Sequence, residues 1–263
     1  MLHLLRRKKI SSTECVDIIQ AAVYEYLKLL GFRKFGRTMH RFVEKDISQV
    51  IHFQNGCPQK GVHNILWINI GIRVPECEER VFIVSEPMKK YYHEYECNIR
   101  TRLGSLVDGK DTFYDLQKSP KMIAISIIDR IKKYVIPVFD VLNSRESILL
   151  YRANYPSFDG LGRHLMILEE AMIYGRRGDI EKASELFNQY CQNALSRYKV
   201  DFENGIKTYL HKGERMLYSN TKTGKEETVI ADKDGYFVIY SAKRYHVDYL
   251  ETLAAQLGIV LKQ

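Results

Sequence analysis

The chain has 263 residues, of which 45% are hydrophobic and 27% charged, with a formal net charge of +8. Such a composition excludes wholesale disorder, and the length allows one large domain or two small ones around a sizeable core. The positive balance favours an anionic partner, such as nucleic acid, phosphate or an acidic protein, without requiring one.

The five cysteines are Cys15, Cys57, Cys77, Cys97 and Cys191. An odd number with no CxxC pair points to reduced thiols in a cytosolic protein. Cys57, His63, Cys77, His93 and Cys97 could be imagined around a zinc ion. Only His93-x3-Cys97 comes near the close ligand pairs that metal sites use, so neither metal nor cofactor is expected. The opening MLHLLRRKKISS has too short an apolar part for a signal segment, with its charges on the wrong side. No apolar run reaches transmembrane length. The expectation is a cytoplasmic protein with no membrane partner.

Ser11 to Leu30 reads as a helix. Ser11 and Glu14 have capping-box spacing, Val16, Ile19, Val23, Leu27 and Leu30 form one apolar stripe, and Gly31 ends it. Three strand-like runs follow: Thr38 to Glu44, Ile47 to Gln54 and Ile65 to Val74. Lys45-Asp46 is a hairpin link, and Asn55 to Asn64 is a loop with Gly56, Pro58 and Gly61. An antiparallel meander results.

Residues two apart on a strand share a face. Leu66, Ile68, Ile70, Ile72 and Val74 point one way, as do Ile47, Gln49, Ile51 and Phe53, and the first helix should cover them. The opposite face collects His52, Gln54, Trp67, Asn69 and Arg73. A solvated face is the ordinary outcome for an antiparallel sheet. Amides and an indole also suit specific hydrogen bonding and stacking, so a binding surface is the sharper reading.

Pro75 to Glu79 reads as a turn and Arg80 to Ser85 as a fourth strand. Tyr91 to Leu106 alternates like a strand, which would add Asn98, Arg100 and Arg102 to the polar face. Surface ion pairs with Glu94, Glu96 or Asp111 are the plainer alternative for these arginines. Gly104 to Ser119 is turn-rich. Pro120 to Leu142 is an amphipathic helix with Ile123, Ile127, Ile131 and Val135 on one face, kinked or ended by Pro137. Ser144 to Ala153 reads as a further short helix.

The series GFRKFGRTMHRF, QVIHFQNG, LWINIGIRVPEC and ECNIRTRLGSLVDGKDTFYDL resembles the bacterial domain-of-unknown-function family numbered 4304. Its members tend to read GFKKKGRTF, INFQ, VNLG and RIGxL before an aromatic pair. The matching residues here are Gly31-Phe32 with Gly36-Arg37-Thr38, Ile51-His52-Phe53-Gln54, Ile68-Asn69-Ile70-Gly71 and Arg102-Leu103-Gly104-Ser105-Leu106. Phe113-Tyr114 replace two tryptophans, and His52 replaces an asparagine. The resemblance covers the first half of the chain. It implies a helix followed by an antiparallel sheet, and no established activity.

Beyond Pro156 the character changes. Gly160-Leu161-Gly162 opens a helix; glycines at such turns are usually there for the backbone rather than for phosphate. Leu165 to Tyr174 and Ile180 to Leu195 form a helical hairpin. Tyr174, Gly178, Ala183 and Phe187 fall at the spacing of a single tetratricopeptide repeat, with no second copy to stack on. Thr228 to Ala231 and Tyr236 to Ser241 flank the turn at Asp232–Gly235 as a β-hairpin. Val247 to Leu257 is a helix, and Ile259 to Leu261 a last strand or extension.

The fold class is therefore α+β: an N-terminal helix on an antiparallel meander sheet, then a helical segment and a small C-terminal β-hairpin/helix unit. Residues 1–155 form the first domain, and 156–263 the second, packed on it. No Walker loop, GxSxG or HExxH occurs. The leading functional reading is a non-catalytic binding module using His52, Gln54, Trp67, Asn69, Arg73, Arg100 and Arg102, with a protein partner or an anionic ligand. Nucleic-acid or nucleotide binding through Arg73, Arg100, Arg102 and Trp67 is the alternative. An enzyme using His52 or His40, oriented by Gln54 and Asn69, is a third.

Overall fold

The computed structural model describes residues 10–56, 64–79, 89–154, 167–241, 245–256 and 259–261. It divides into two compact units between Arg176 and Arg177.

The first unit opens with α1 (Ser12–Lys28). Ser11 Oγ accepts from the Glu14 backbone N–H at 3.2 Å, and the Glu14 carboxylate takes the Ser11 N–H, which completes the capping box. Gly31 then turns the chain with φ 85°, a conformation that suits glycine. A short strand that the sequence did not announce follows, β1 (Arg33–Phe35). It pairs with β2 (Thr38–Val43). β3 (Ile47–Gly56) and β4 (Ile65–Arg73) complete the expected meander.

The β2–β3 link is one residue longer than the expected Lys45-Asp46. Val43 pairs with Ile47, leaving Glu44, Lys45 and Asp46 in the turn. Glu44 and Lys45 both have positive φ. The cost of those conformations is borne where Glu44 accepts from the Arg145 backbone N–H and Asp46 accepts from the Arg145 guanidinium.

Pro75–Glu79 is a short helix, α2, rather than a turn. Arg80 to Ser85 lies outside the described residues. The expected long strand from Tyr91 breaks up into a 3-10 turn at Glu94–Glu96, β5 (Ile99–Arg102) and the helix α3 (Leu103–Asp108). β5 pairs with β4, and β6 (Tyr114–Asp115) joins a different part of β4.

α4 (Pro120–Arg130) passes through a π-helical turn at Ile131–Val135 into α5 (Ile136–Val141). Pro137 does not end the helix. The Ile136 N–H reaches back to Ile131 O, and this wider turn absorbs the proline's missing donor and its bulk. α6 (Arg145–Asn154) and α7 (Ile167–Arg176) follow.

The core lies on the aliphatic side of the sheet. Val16, Ile19, Val23 and Leu27 of α1, Ile123 and Ile127 of α4, and Ile131, Val135 and Phe139 meet Met39, Ile51, Phe53, Ile68, Ile70 and Ile72 there. Gln49 shares that face and is fully buried. Its Nε2 donates to Phe139 O at 2.5 Å and Leu142 O at 3.3 Å, and its Oε1 accepts from Arg41 Nε at 2.7 Å. It thus satisfies carbonyls that the end of α5 leaves open.

A second buried polar group joins distant parts of this unit. The Arg145 guanidinium grips Glu76 with two hydrogen bonds of 2.7 and 2.8 Å, and Asp46 with one of 2.9 Å. Arg176 reaches the other oxygen of Asp46 at 3.5 Å.

The second unit holds α8 (Ile180–Asn204), the strands β7 (Ile206–Leu210), β8 (Arg215–Ser219), β9 (Glu226–Ile230) and β10 (Gly235–Ile239), and α9 (Tyr245–Gln256). The expected pairing across Asp232–Gly235 does not form. β9 pairs with β8, and β10 with β7. Both pairs share one register, from Ile206 opposite Ile239 to Ser219 opposite Glu226, and Gly213 and Glu214 bond to Ala231 between them. The four strands are two arms of a single long hairpin closed by residues 220–225. Asp232–Asp234 is a bend within one arm: the Asp234 carboxylate caps the Lys212 N–H at 2.6 Å rather than closing a turn.

Candidate functional site

Register places the polar-face residues in rungs that run across the sheet. One rung is Phe35, Thr38, His52, Asn69 and Arg102, each directly opposite the next on β1 to β5. The next toward the far end is Arg33, His40, Val50, Gly71 and Arg100. On the other side of the first rung, Gln54 stands opposite Trp67.

The two ends of this face differ. Over the second rung lies the segment from Lys89 to Asn98. A Cβ at Gly71 would come within 2.5 Å of Cys97 Sγ, so the close approach of this segment requires glycine there. Tyr91 stacks on Phe35 at 4.8 Å, and Tyr92 meets Phe42 edge-on. His40 is enclosed among Phe35, Phe42 and Tyr91, 1% exposed, with no hydrogen-bond partner on either ring nitrogen among the described residues. Burial first, and the Arg33 charge second, lower its pKa.

Arg73 belongs to this covered end as well. It is 3% exposed, bonds Glu78 through Nε at 2.6 Å and lies over the Tyr92 ring at 3.8 Å. Asn98 is buried too, its Oδ1 accepting from the Val74 N–H. Arg100 is half-exposed and stands 3.8 Å from the Glu94 carboxylate.

At the first rung Phe35, His52 and Arg102, with Gln54 and Trp67 beside them, stay half-exposed, while Thr38 and Asn69 between them are buried. Here the structure brings together five of the seven expected residues: His52, Gln54, Trp67, Asn69 and Arg102. Thr38 Oγ1 and His52 Nδ1 are 2.9 Å apart, and Asn69 Nδ2 donates to Gln54 Oε1 at 2.8 Å. Arg102 lies over the Trp67 ring at 4.8 Å and is paired with Asp111. The indole also meets Phe113 edge-on, and it fills the space that a side chain at Gly56 would need. Its Nε1 is buried with no partner among the described residues.

Electrostatics divide the groups around this opening. Burial, then the His93 and Arg37 charges, lower the His52 pKa, so its imidazole is neutral at pH 7. Burial raises the pKa of Glu94, while Arg100 and Arg102 pull it back. The arrangement is a fixed array of amides, a neutral imidazole and a stacked guanidinium. It can donate and accept hydrogen bonds but offers no evident nucleophile.

Sequence reasoning did not place Thr38, Arg37 or His93 at this face; it did name Glu94 and Asp111 as ion-pair partners for the arginines, and Arg100 and Arg102 are paired with them. The three-residue turn is the signal that would have placed Thr38 opposite His52, and it needs the Arg145 contacts to be anticipated. Cys57 and His63 lie outside the described residues. Among the described residues no group of three His, Cys, Asp or Glu side chains could hold a metal ion.

Residues 23–141 match the family described as a domain of unknown function, DUF4304. The DUF4304 match spans α1 from its middle, the whole sheet and α4 through α5, so the candidate site lies inside it. Neither a curated protein nor a solved structure matches the chain. Among the described residues no helix is long and apolar enough to cross a membrane.

Proposed function

We propose that the chain is a non-catalytic binding module of the bacterial cytoplasm, and that the open end of the polar sheet face receives a protein partner. The observation that carries this reading is the group of half-exposed His52, Gln54 and Arg102 around the buried amide of Asn69, held in register by three strands and by the Asn69–Gln54 hydrogen bond. Side chains fixed in this way lose little freedom on binding, which favours specific recognition. Trp67 and arginine are also the residue types that anchor interfaces. The cytoplasmic setting rests on the cysteine pattern, and the bacterial one on the DUF4304 resemblance.

The test is photo-crosslinking from position 54 in cells. A discrete adduct that disappears with Arg102→Glu is expected, and an unchanged adduct pattern counts against the site.

An anionic ligand is the second reading, supported by Arg102 at this end of the face and by Arg37, whose charge acts on His52. It predicts affinity for oligonucleotides or phosphate that falls steeply with salt. Base stacking is the less supported form of it, because the Trp67 ring already carries Arg102. An enzyme built on His52 is less supported still: Nδ1 is engaged with Thr38, and the groups around it orient a hydrogen bond rather than a nucleophile.

A further inference from the structure

The long hairpin of the second unit carries a surface that the binding reading does not use. Strand alternation gives it two faces. Leu210, Ala231 and Ile239 are buried on one. On the other, Tyr209 and Tyr236 stand opposite each other, 47% and 73% exposed, with ring centroids 5.2 Å apart. Val238 extends this apolar end, and Leu217 and Ile230, 60% and 64% exposed, form a second apolar patch toward the hairpin tip.

Between the two patches the same face is charged. Asp234 pairs with His211 on one level, and Arg215 stands opposite Ile230 on another. The outer levels carry Lys207 at one end and Glu226 at the other, both exposed.

We propose that this face is the interface of a homodimer, closed by a two-fold axis near Gly213 and Asp232. The pattern is self-complementary about that point. Turning a second copy end for end lays its Arg215 level over the Asp234 level, and its Lys207 level over the Glu226 level, with each of these charges one strand across from its opposite. The same rotation sets Tyr209 and Tyr236 against the Leu217 patch. An isologous contact requires a surface that matches itself in this way. The apolar area also fits. Five hydrophobic side chains, between 46% and 73% exposed, offer on the order of 500 Å². That is close to the apolar share of a standard interface of about 800 Å² per partner.

The experiment is sedimentation of the full chain over a range of concentrations, with circular dichroism to confirm that each variant is folded. Wild type should sediment as a dimer that dissociates on dilution and weakens in high salt. Tyr236→Glu and, independently, Leu217→Lys should be monomers. Arg215→Asp alone should weaken the dimer at least ten-fold, and Arg215→Asp with Asp234→Arg should recover most of the loss. A monomeric wild type at every concentration overturns the proposal, even if another protein binds this face. So does a dimer that survives both Tyr236→Glu and Leu217→Lys.

Discussion

Asn69 gives its amide to Gln54 and stands between His52 and Arg102, so the face around it depends on strand register. That register can be tested with two neighbouring side chains. Ile70 points into the core and is 2% exposed, whereas Trp67 is half-exposed on the other side. Ile70→Ala should cost about 2–5 kcal/mol through the cavity it leaves, and Trp67→Ala should cost less. Urea midpoints decide it; the reverse order means that the faces are exchanged.

His40 is the residue with the clearest pH signature. Its folded pKa is lowered, while the unfolded side chain titrates near about 6.5. Below that value the unfolded chain therefore holds more protons than the folded one. The stability present above about pH 6.5 should be lost as pH falls through the folded pKa. His52 acts in the same direction. Replacing His40 by Leu should flatten the fall in urea midpoint on acidification, and should cost little at pH 7, since neither ring nitrogen has a hydrogen-bond partner among the described residues. An equally steep fall in the variant would place the proton uptake elsewhere.

At the scale of elements, the segment Lys89–Asn98 decides how much of the polar face meets solvent. It approaches so closely only because Gly71 has no side chain. Gly71→Ala should push Cys97 and Glu94 outward while leaving the opposite, aliphatic face packed. Hydrogen exchange is the measurement: the amides of 91–98 should lose protection and those of Ile68 and Ile70 should keep it. Loss of protection throughout the sheet would instead mean that the cover and the sheet open together.

The sequence revealed the meander, the capped first helix and the division of β3 and β4 into an aliphatic and a polar face, because period-two alternation is a local property. It did not reveal that half of the polar face is covered. That depends on contacts such as Tyr91 on Phe35 and Cys97 on Gly71, between residues far apart in the chain. The hairpin around Asp232 misled for a related reason. A turn-forming tetrapeptide is a local signal, and the longer arms on either side of it imposed a different register.

At the scale of the whole molecule, the net charge of +8 says little about the candidate site, since Arg37, Arg73, Arg100 and Arg102 each face a carboxylate. The buried ionic group around Arg145 matters more for stability. Glu76 is fully buried and depends on that guanidinium, while Asp46 is partly buried and shares it with Arg176. Arg145→Met should cost about 3–5 kcal/mol, because breaking one partner strands the other charges. The double variant with Glu76→Leu should recover part of that in thermal unfolding. No recovery would mean that Asp46, rather than Glu76, bears most of the cost.

The same guanidinium separates two meanings of the word domain. The DUF4304 match ends at residue 141, before Arg145, and begins at residue 23, after Val16 and Ile19 of α1. A piece cut at those limits would inherit Glu76 and Asp46 without their cation, and the sheet without half of the helix that covers it. The stretch that heredity treats as a module is thus not one that folding treats as self-sufficient.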